Sequence, residues 1–412
     1  MVEFNQLPEE YIKPLRLCFD LLAKSSITFF EPNLSWYTKK VRPIIIKTYV
    51  CTYFISLTVY LSRVFRKNVD IHELAHVLPI YTVTFQALLK GMNTITKNDQ
   101  LISLILQLGA MWRTENLNEV QVRRKEELFK KIKYSYIACY RITIIAAWQY
   151  MLAPLCQTLF QRFVLRQESR MLLPFACSFP FDIQQNWIFY AIAYIFELYS
   201  MHGVIHYFIG SDTLLITLTG LLSTDFVLLQ DDFLNTKPIV TSMAIEGVTA
   251  SHCEITTENS LIHLIKRHQK LIKLSELLDD ICSKLIFFNL SSSTVIITFF
   301  AIAAKVARGP VDMINNFGAV VALLIPLFNF CYFSQLLRQS SGGVADSAYN
   351  SIWYKGDKKY KKLLWFVIRR SQKPCSLTSM KYNPISLSTF SAVLSTTWSY
   401  FSLASSLYDD TN

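Results

Sequence analysis

Seven stretches of this chain are apolar, nearly free of charge and about as long as a helix needs to cross a bilayer. They are 43–62, 72–91, 134–158, a run that begins near Asn186 and continues past membrane length to about Leu229, 285–305, 316–337 and 386–407. Such stretches cannot expose backbone N–H and C=O groups to lipid, so they predict helices. Composition agrees: 52% of the 412 residues are hydrophobic and 17% are charged, against about 25% charged in soluble domains. Only 11 Gly and 13 Pro favour long helices over loops. The expectation is an all-α membrane protein with seven transmembrane helices. Met1 to Glu10 is polar and acidic without an apolar core, so the first span is expected to serve as the insertion signal.

Orientation follows from Lys and Arg between the spans. The 1–42 lead and the 92–133, 223–284 and 338–385 loops together carry 30 of them, and the opposite set carries 8. This predicts the N-terminus inside and the C-terminus outside. The same partition explains the net charge of +11 through topology, without nucleic acid as a partner. A G-protein-coupled receptor, the competing class, has seven spans the other way up. The chain also lacks an acidic-Arg-Tyr triplet after the third span, and Asn383-Pro384 is followed by Ile385, Ser386 and Leu387 rather than ending in Tyr. A secondary transporter would show inverted repeats or broken helix pairs, and neither is visible.

Four regions follow. Residues 1–42 form a cytosolic lead in which Tyr11 to Phe30 has helical spacing and lies on or dips into the membrane. Residues 43–337 hold spans one to six. Within them, Asp99 to Trp112 is a helix too short to cross, Asp231 to Asn259 reads as flexible, and 260–282 is an amphipathic helix with Leu264, Leu271, Leu274, Leu278 and Ile281 on one face. Residues 338–385 carry a second amphipathic, basic helix, 341–372, with Tyr349, Ile352, Trp353, Tyr360, Leu364 and Val367, and then a linker. Residues 386–412 are the last span and a short tail.

The last span is diluted by Ser and Thr, unlike a lipid-facing helix. Thr396, Ser399, Leu403 and Ser406 fall on one face, with Tyr400 and Phe401 beside it. The residues leave two readings open: a helix buried among others and held by hydroxyl–carbonyl bonds, or one lining water, where a ring of Leu403 closes a pore by dewetting. Candidate pocket residues are large apolar side chains at helical steps: Tyr81 and Phe85; Ile144, Trp148 and Met151; Tyr194, Leu198 and Met201; Phe317, Val321 and Leu324. They suit a small, mostly apolar ligand or, equally, ordinary helix packing. Glu197, His202, His206 and Arg141 are ionisable groups within spans. Glu197 is read as pairing with a cation or meeting a polar ligand head or, equally, as an interhelical pair that fixes the packing, and Lys90 and Lys305 are expected to snorkel to an interface. Cys156 and Cys177 are the pair placed to share the outside compartment. No catalytic triad, phosphate loop or metal-ligand cluster is visible, so no enzyme, cofactor or metal site is expected.

In order and spacing, Trp353-Tyr354, Arg370-Ser371-Gln372-Lys373-Pro374, Ser386-Leu387-Ser388-Thr389-Phe390 and Ser399-Tyr400-Phe401 resemble the insect odorant receptor family, in its ligand-tuning rather than co-receptor branch. Met380 departs from the Gly usual in that family, and Ser-Tyr-Phe favours the odorant branch over the gustatory-type chemoreceptor channels, which stay the alternative within this resemblance. The resemblance implies an odorant-gated, non-selective cation channel of four subunits, a heterotetramer with the odorant co-receptor, at the plasma membrane of sensory dendrites. It implies a small volatile organic ligand bound in the outer half of spans two to six, and a pore lined by the last helix, with Thr396, Ser399, Tyr400, Leu403 and Ser406 facing it and Leu403 at the apolar gate position. It further implies a cytosolic anchor where subunits meet, to which Leu264, Leu271, Leu278, Trp353, Tyr354 and Leu364 are assigned.

Overall fold

A computed structural model describes residues 4–30, 35–66, 71–166, 170–236, 250–307 and 309–409. Among them stand α1 (Glu9–Lys24), α2 (Arg42–Arg66), α3 (Ile71–Thr96), α4 (Asn98–Gly109), α5 (Glu119–Leu159), α6 (Trp187–Leu234), α7 (Ala250–Lys305), α8 (Pro310–Tyr349), α9 (Lys358–Ser371) and α10 (Leu387–Asp409). A small antiparallel hairpin, β1 (Thr378–Ser379) and β2 (Asn383–Pro384), precedes α10.

Helix length sets the architecture. At 1.5 Å per residue, α5, α6, α7 and α8, with 41, 48, 56 and 40 residues, run about 60 to 84 Å, twice or more the bilayer core. Each therefore continues from an apolar half into a second tier, completed by α1, α4 and α9. Among the described residues, five helices are long and apolar enough to cross a membrane: α2, α5, α6, α7 and α8. The other two expected spans, α3 and α10, pack against α7. The axis is α6, whose most apolar window is 94% buried, against 17% for α5 and 22% for α2. This is why that stretch outruns membrane length: its lower half, from Tyr207 to Phe226, is surrounded by protein rather than lipid.

Four expectations change. Residues 260–282 and 285–305 are not separate helices but one unbroken α7, because no Gly or Pro falls between them. The 341–372 helix is two: α8 runs on to Tyr349, and the chain breaks at Asn350–Asp357. There Gly356 is extended and the Asp357 carboxylate caps α9, accepting from Tyr360 N at 2.8 Å. The lead helix α1 is packed into the second tier: Tyr11, Leu15, Cys18 and Leu22 are fully buried, and Tyr11 Oη donates to the Ile105 carbonyl at 2.8 Å. The Asp231–Asn259 segment divides, with α6 continuing to Leu234, 237–249 outside the described residues and α7 starting at Ala250.

The lower tier is joined by charge. Arg267 Nη2 donates to Asp225 at 2.8 Å, Arg113 holds Asp232 at 2.5 Å, Arg124 holds Asp231 at 2.6 Å, and Lys125 reaches Glu10 at 2.8 Å. Burial outweighs the neighbouring Arg267 and pushes the Asp225 carboxyl up to about 6. Burial likewise pushes the His268 imidazole down to about 4, with Arg370 adding to it.

Helix α1 lies so close to α6 that a Cβ on Gly210 would stand 2.7 Å from Leu22 Cδ2. Gly210→Val is expected to destabilise the protein by about 1–3 kcal/mol through overpacking. The readout is a lower thermal unfolding temperature in detergent and less protein at the cell surface; an unchanged temperature would show that α1 yields freely.

Candidate ligand cavity and pore helix

A cavity of about 90 Å³ opens where five helices converge. Its walls are Ile80 and Val83 of α3, Thr143, Ala146, Ala147 and Tyr150 of α5, Met201, Val204, Ile205 and Phe208 of α6, Phe300 of α7, and Ala319, Ala322 and Leu323 of α8. The space exists because four alanines face each other across it while the surrounding positions carry large side chains. Ile80, Tyr150, Phe300 and Ala319 each lie nine or fewer residues from the neighbouring ends of α3, α5, α7 and α8, within about 14 Å at helical rise, so the cavity sits toward one side of the apolar tier.

Phe175, from the α5–α6 connection, forms the remaining wall. It stacks on Tyr150 with centroids 5.7 Å apart and lies edge-on to Tyr53 at 5.9 Å. Its backbone N donates to Glu197 Oε2 at 3.2 Å. Of the two readings of Glu197, the structure gives it a packing role without the expected interhelical charge partner among the described residues: it ties this connection onto α6. Cys177 lies in the same segment and is a free, buried thiol, while Cys156 is free and exposed. On the opposite side, Phe208 presents its ring to the cavity and to Lys90, whose Nζ is 3.6 Å from the ring centroid and 2.7 Å from Asp212 Oδ2. Lys90 does not snorkel; it is fully buried, because Asp212 lies within its reach. Lys305 donates to the Ser405 carbonyl at 3.4 Å, joining the ends of α7 and α10.

Of the residues singled out for the pocket, Met201 lines this cavity, and Ile144, Trp148, Met151, Leu198 and again Met201 line an adjoining cleft between α5 and α6. The others sit elsewhere. Tyr81 and Phe85 stack on Phe54 of α2, at 5.0 and 6.1 Å. Tyr194 donates to the Met151 carbonyl at 2.5 Å, Phe317 is exposed, and Leu324 packs in a cluster with Val393 of α10. Val321 of α8 is half-buried outside both spaces. Helical spacing marks which residues share a face but not which face turns inward. The alanines, Phe175 and Phe208 carried no sequence signal, because alanine is read as filler and Phe175 lies in a connection.

Along α10, Val393 and Thr397 are buried, and Phe401 and Ala404 pack against α7's end and α3. Thr396, Ser399, Tyr400, Leu403 and Ser406 lie on the open face, with Tyr400 54% and Leu403 60% exposed. The hydroxyls of Thr396, Ser399 and Ser406 donate to carbonyls of their own helix, at 2.8, 3.0 and 2.9 Å, so the exposed stripe is internally satisfied. Before α10, the hairpin is clasped to α7. Asp279 accepts from Thr378 N at 2.7 Å, from Thr378 Oγ1 at 2.9 Å and from Lys381 Nζ at 2.8 Å. Lys381 also pairs with Asp280, and Lys381 N donates to Ser283 Oγ at 3.0 Å. Met380 and Lys381 both adopt positive φ, 51° and 66°, at the tip, the conformation that favours Gly at the first of these positions. The anchor residues separate by exposure: Leu271, Leu278 and Leu364 are buried within the chain, Leu264 and Trp353 pack partly against the core, and Tyr354 is 60% exposed.

An apolar cavity walled by five helices, beside a hydroxyl-rich helix with one open face, is the candidate site of a multi-pass membrane protein. The 7tm Odorant receptor family matches residues 70–398, and the chain belongs to that family. Among Drosophila melanogaster proteins it is similar to Odorant receptor 13a, 26% identical over 58% of this chain and 58% of that one, and to Odorant receptor 85c, 24% identical over 69% and 72%. The chain thus spans little more than half the length of several curated relatives it matches. It is also 26% identical to the odorant receptor coreceptor of Anopheles gambiae, over 36% of this chain and 31% of that one. The fold is that of the insect olfactory receptor OR5 from Machilis hrabei, with a TM-score of 0.80, 14% identity, and 96% of this chain and 99% of that one covered. The OR5 complex with eugenol aligns with a TM-score of 0.79 over 97% of this chain. The family is one of receptors, not enzymes.

Proposed function

We propose that this chain is the ligand-tuning subunit of an odorant-gated, non-selective cation channel, combined with odorant co-receptor subunits in a tetramer at the plasma membrane. The observation that carries this reading is the apolar cavity at the convergence of α3, α5, α6, α7 and α8. Such a space suits a small volatile held by dispersion. That an OR5 structure of the same fold holds eugenol supports it. In the tetramer, the open face of α10 turns to a central axis with Leu403 at the constriction. The exposed aromatics Tyr349, Tyr354, Trp365 and Phe366 of the lower tier supply subunit contacts. The N-terminus lies inside the cell and the C-terminus outside.

Patch recording with and without the co-receptor, against a panel of volatiles, tests the reading. Fast ligand-evoked currents that require both chains are expected; no current to any volatile from surface-expressed protein would sink it. Ala322→Leu, whose added carbons occupy most of the roughly 90 Å³ cavity, is expected to weaken responses about tenfold or more while leaving surface expression within about twofold, since the bulk enters existing space. Potency unchanged in that variant would move the ligand elsewhere. Leu403→Ala is expected to raise ligand-independent leak several-fold by widening a dewetted constriction; unchanged leak and unchanged gating would remove Leu403 from the gate.

A further inference from the structure

The cleft between α5 and α6 measures about 370 Å³ and shares Ala147, Met201 and Ile205 with the cavity, so the two spaces adjoin. Trp148, Ile195 and Tyr199, respectively 51%, 64% and 40% exposed, form its rim. His206 lies in the inner wall, 3% exposed.

The hydrogen-bonding state of this ring is fixed by its neighbours. His206 Nδ1 stands 2.7 Å from the His202 backbone carbonyl. A carbonyl oxygen only accepts, so Nδ1 carries the hydrogen and donates. In the neutral imidazole, Nε2 is then a lone-pair acceptor. It is buried and has no partner. No acidic side chain lines the cleft to balance an imidazolium, so the neutral ring is the form that fits. Thr143 Oγ1, in the cavity, is also unpartnered, but a hydroxyl donates and accepts and so selects nothing. His206 Nε2 accepts only.

We propose that the cleft is a polar subsite for the ligand's one hydrogen-bonding end, and that the ligand is a compact apolar molecule with a single O–H or N–H donor, of the alkanol or phenol class. Its hydroxyl donates to His206 Nε2, and its apolar body lies past Ala147 and Met201 into the cavity. Ethers, esters and hydrocarbons of the same shape leave Nε2 without a donor. The ligand class rests on the reading of the cavity as a ligand pocket.

The test compares n-alkanols and simple phenols with their methyl ethers on wild type, His206→Leu and His206→Gln, in two measurements. One is the evoked current in cells that also express the co-receptor. The other is the shift in unfolding temperature of the purified full chain in detergent. In wild type the hydroxyl compounds are expected to act at about tenfold lower concentration than their ethers, the value of one hydrogen bond to a buried acceptor. His206→Leu is expected to erase that difference while leaving ether potency unchanged. His206→Gln, which retains an acceptor, is expected to restore part of it. Equal potency of alcohols and ethers in wild type, or a Leu variant that weakens both alike, would overturn the assignment. Currents absent for every compound, with the thermal shift still favouring the hydroxyl series, would reject the channel reading and keep the subsite. If His206→Leu does not fold, the wild-type comparison and the Gln variant still decide.

Discussion

Lys90→Met is expected to cost about 3–5 kcal/mol, because it leaves a buried carboxylate without its partner. The side chain of Lys90 is fully buried and that of Asp212 is 8% exposed, with 2.7 Å between them. Water cannot replace the lost ammonium, and the Phe208 ring, 3.6 Å from it, cannot balance the charge that remains. Little protein should reach the cell surface, and unfolding in detergent should move to lower temperature. The double variant, Lys90→Met with Asp212→Leu, removes both charges and should recover most of the loss, since an apolar pair of similar volume often replaces a buried ion pair at little cost. A single variant as stable as wild type would show that Asp212 finds another partner or takes up a proton freely. The pair matters beyond stability. Phe208 contacts Lys90 on one side and walls the cavity on the other, so the ion pair fixes the position of one cavity wall.

Asp279→Ala should separate ligand binding from gating. This carboxylate, 7% exposed, holds the backbone and hydroxyl of Thr378 and the ammonium of Lys381, and so fastens the hairpin before α10 to α7. Loss of a charge-assisted bond costs about 1.5–3 kcal/mol. Lys381 is half exposed, so most of the effect comes from orphaning Thr378. The cavity is lined by no residue of the hairpin and should keep its ligand potency. Evoked current should fall by about tenfold or more at equal surface expression. Asp280→Ala is the control: the Asp280 side chain is 63% exposed, so its pair with Lys381 contributes little and current should stay near wild type. Equal effects of the two substitutions would mean that the clasp does not carry the coupling. Met380 at φ 51° adds a local cost at the hairpin tip that the clasp holds in place.

The seven apolar runs, the amphipathic leucines of 260–282 and the motifs around Trp353 and Ser399 were legible because hydropathy and helical period are local properties. Leu271 and Leu278 are buried and the 396–406 stripe lies on one open face, as period alone requires. The break after Tyr349 was less legible: Asn350, Gly356 and Asp357 are breakers and a cap, but amphipathic spacing continues across them. The cavity was legible only at Met201. Tyr81, Phe85 and Phe317 have the right character and spacing, yet they turn to α2 or outward, because the rotation of each helix is set by its neighbours.

The sequence by itself therefore determined an all-α membrane protein, its family, and the hydroxyl-rich face of its last helix. Each follows from residues near one another in the chain. The tertiary structure alone decided which alanines open a cavity, that Lys90 meets Asp212 across 122 positions, that Asp279 clasps Thr378 across 99, and that His206 keeps an unpartnered acceptor beside the cavity. These depend on how far each helix turns and slides against the next. That is settled by close packing over the whole bundle, so no local pattern encodes it.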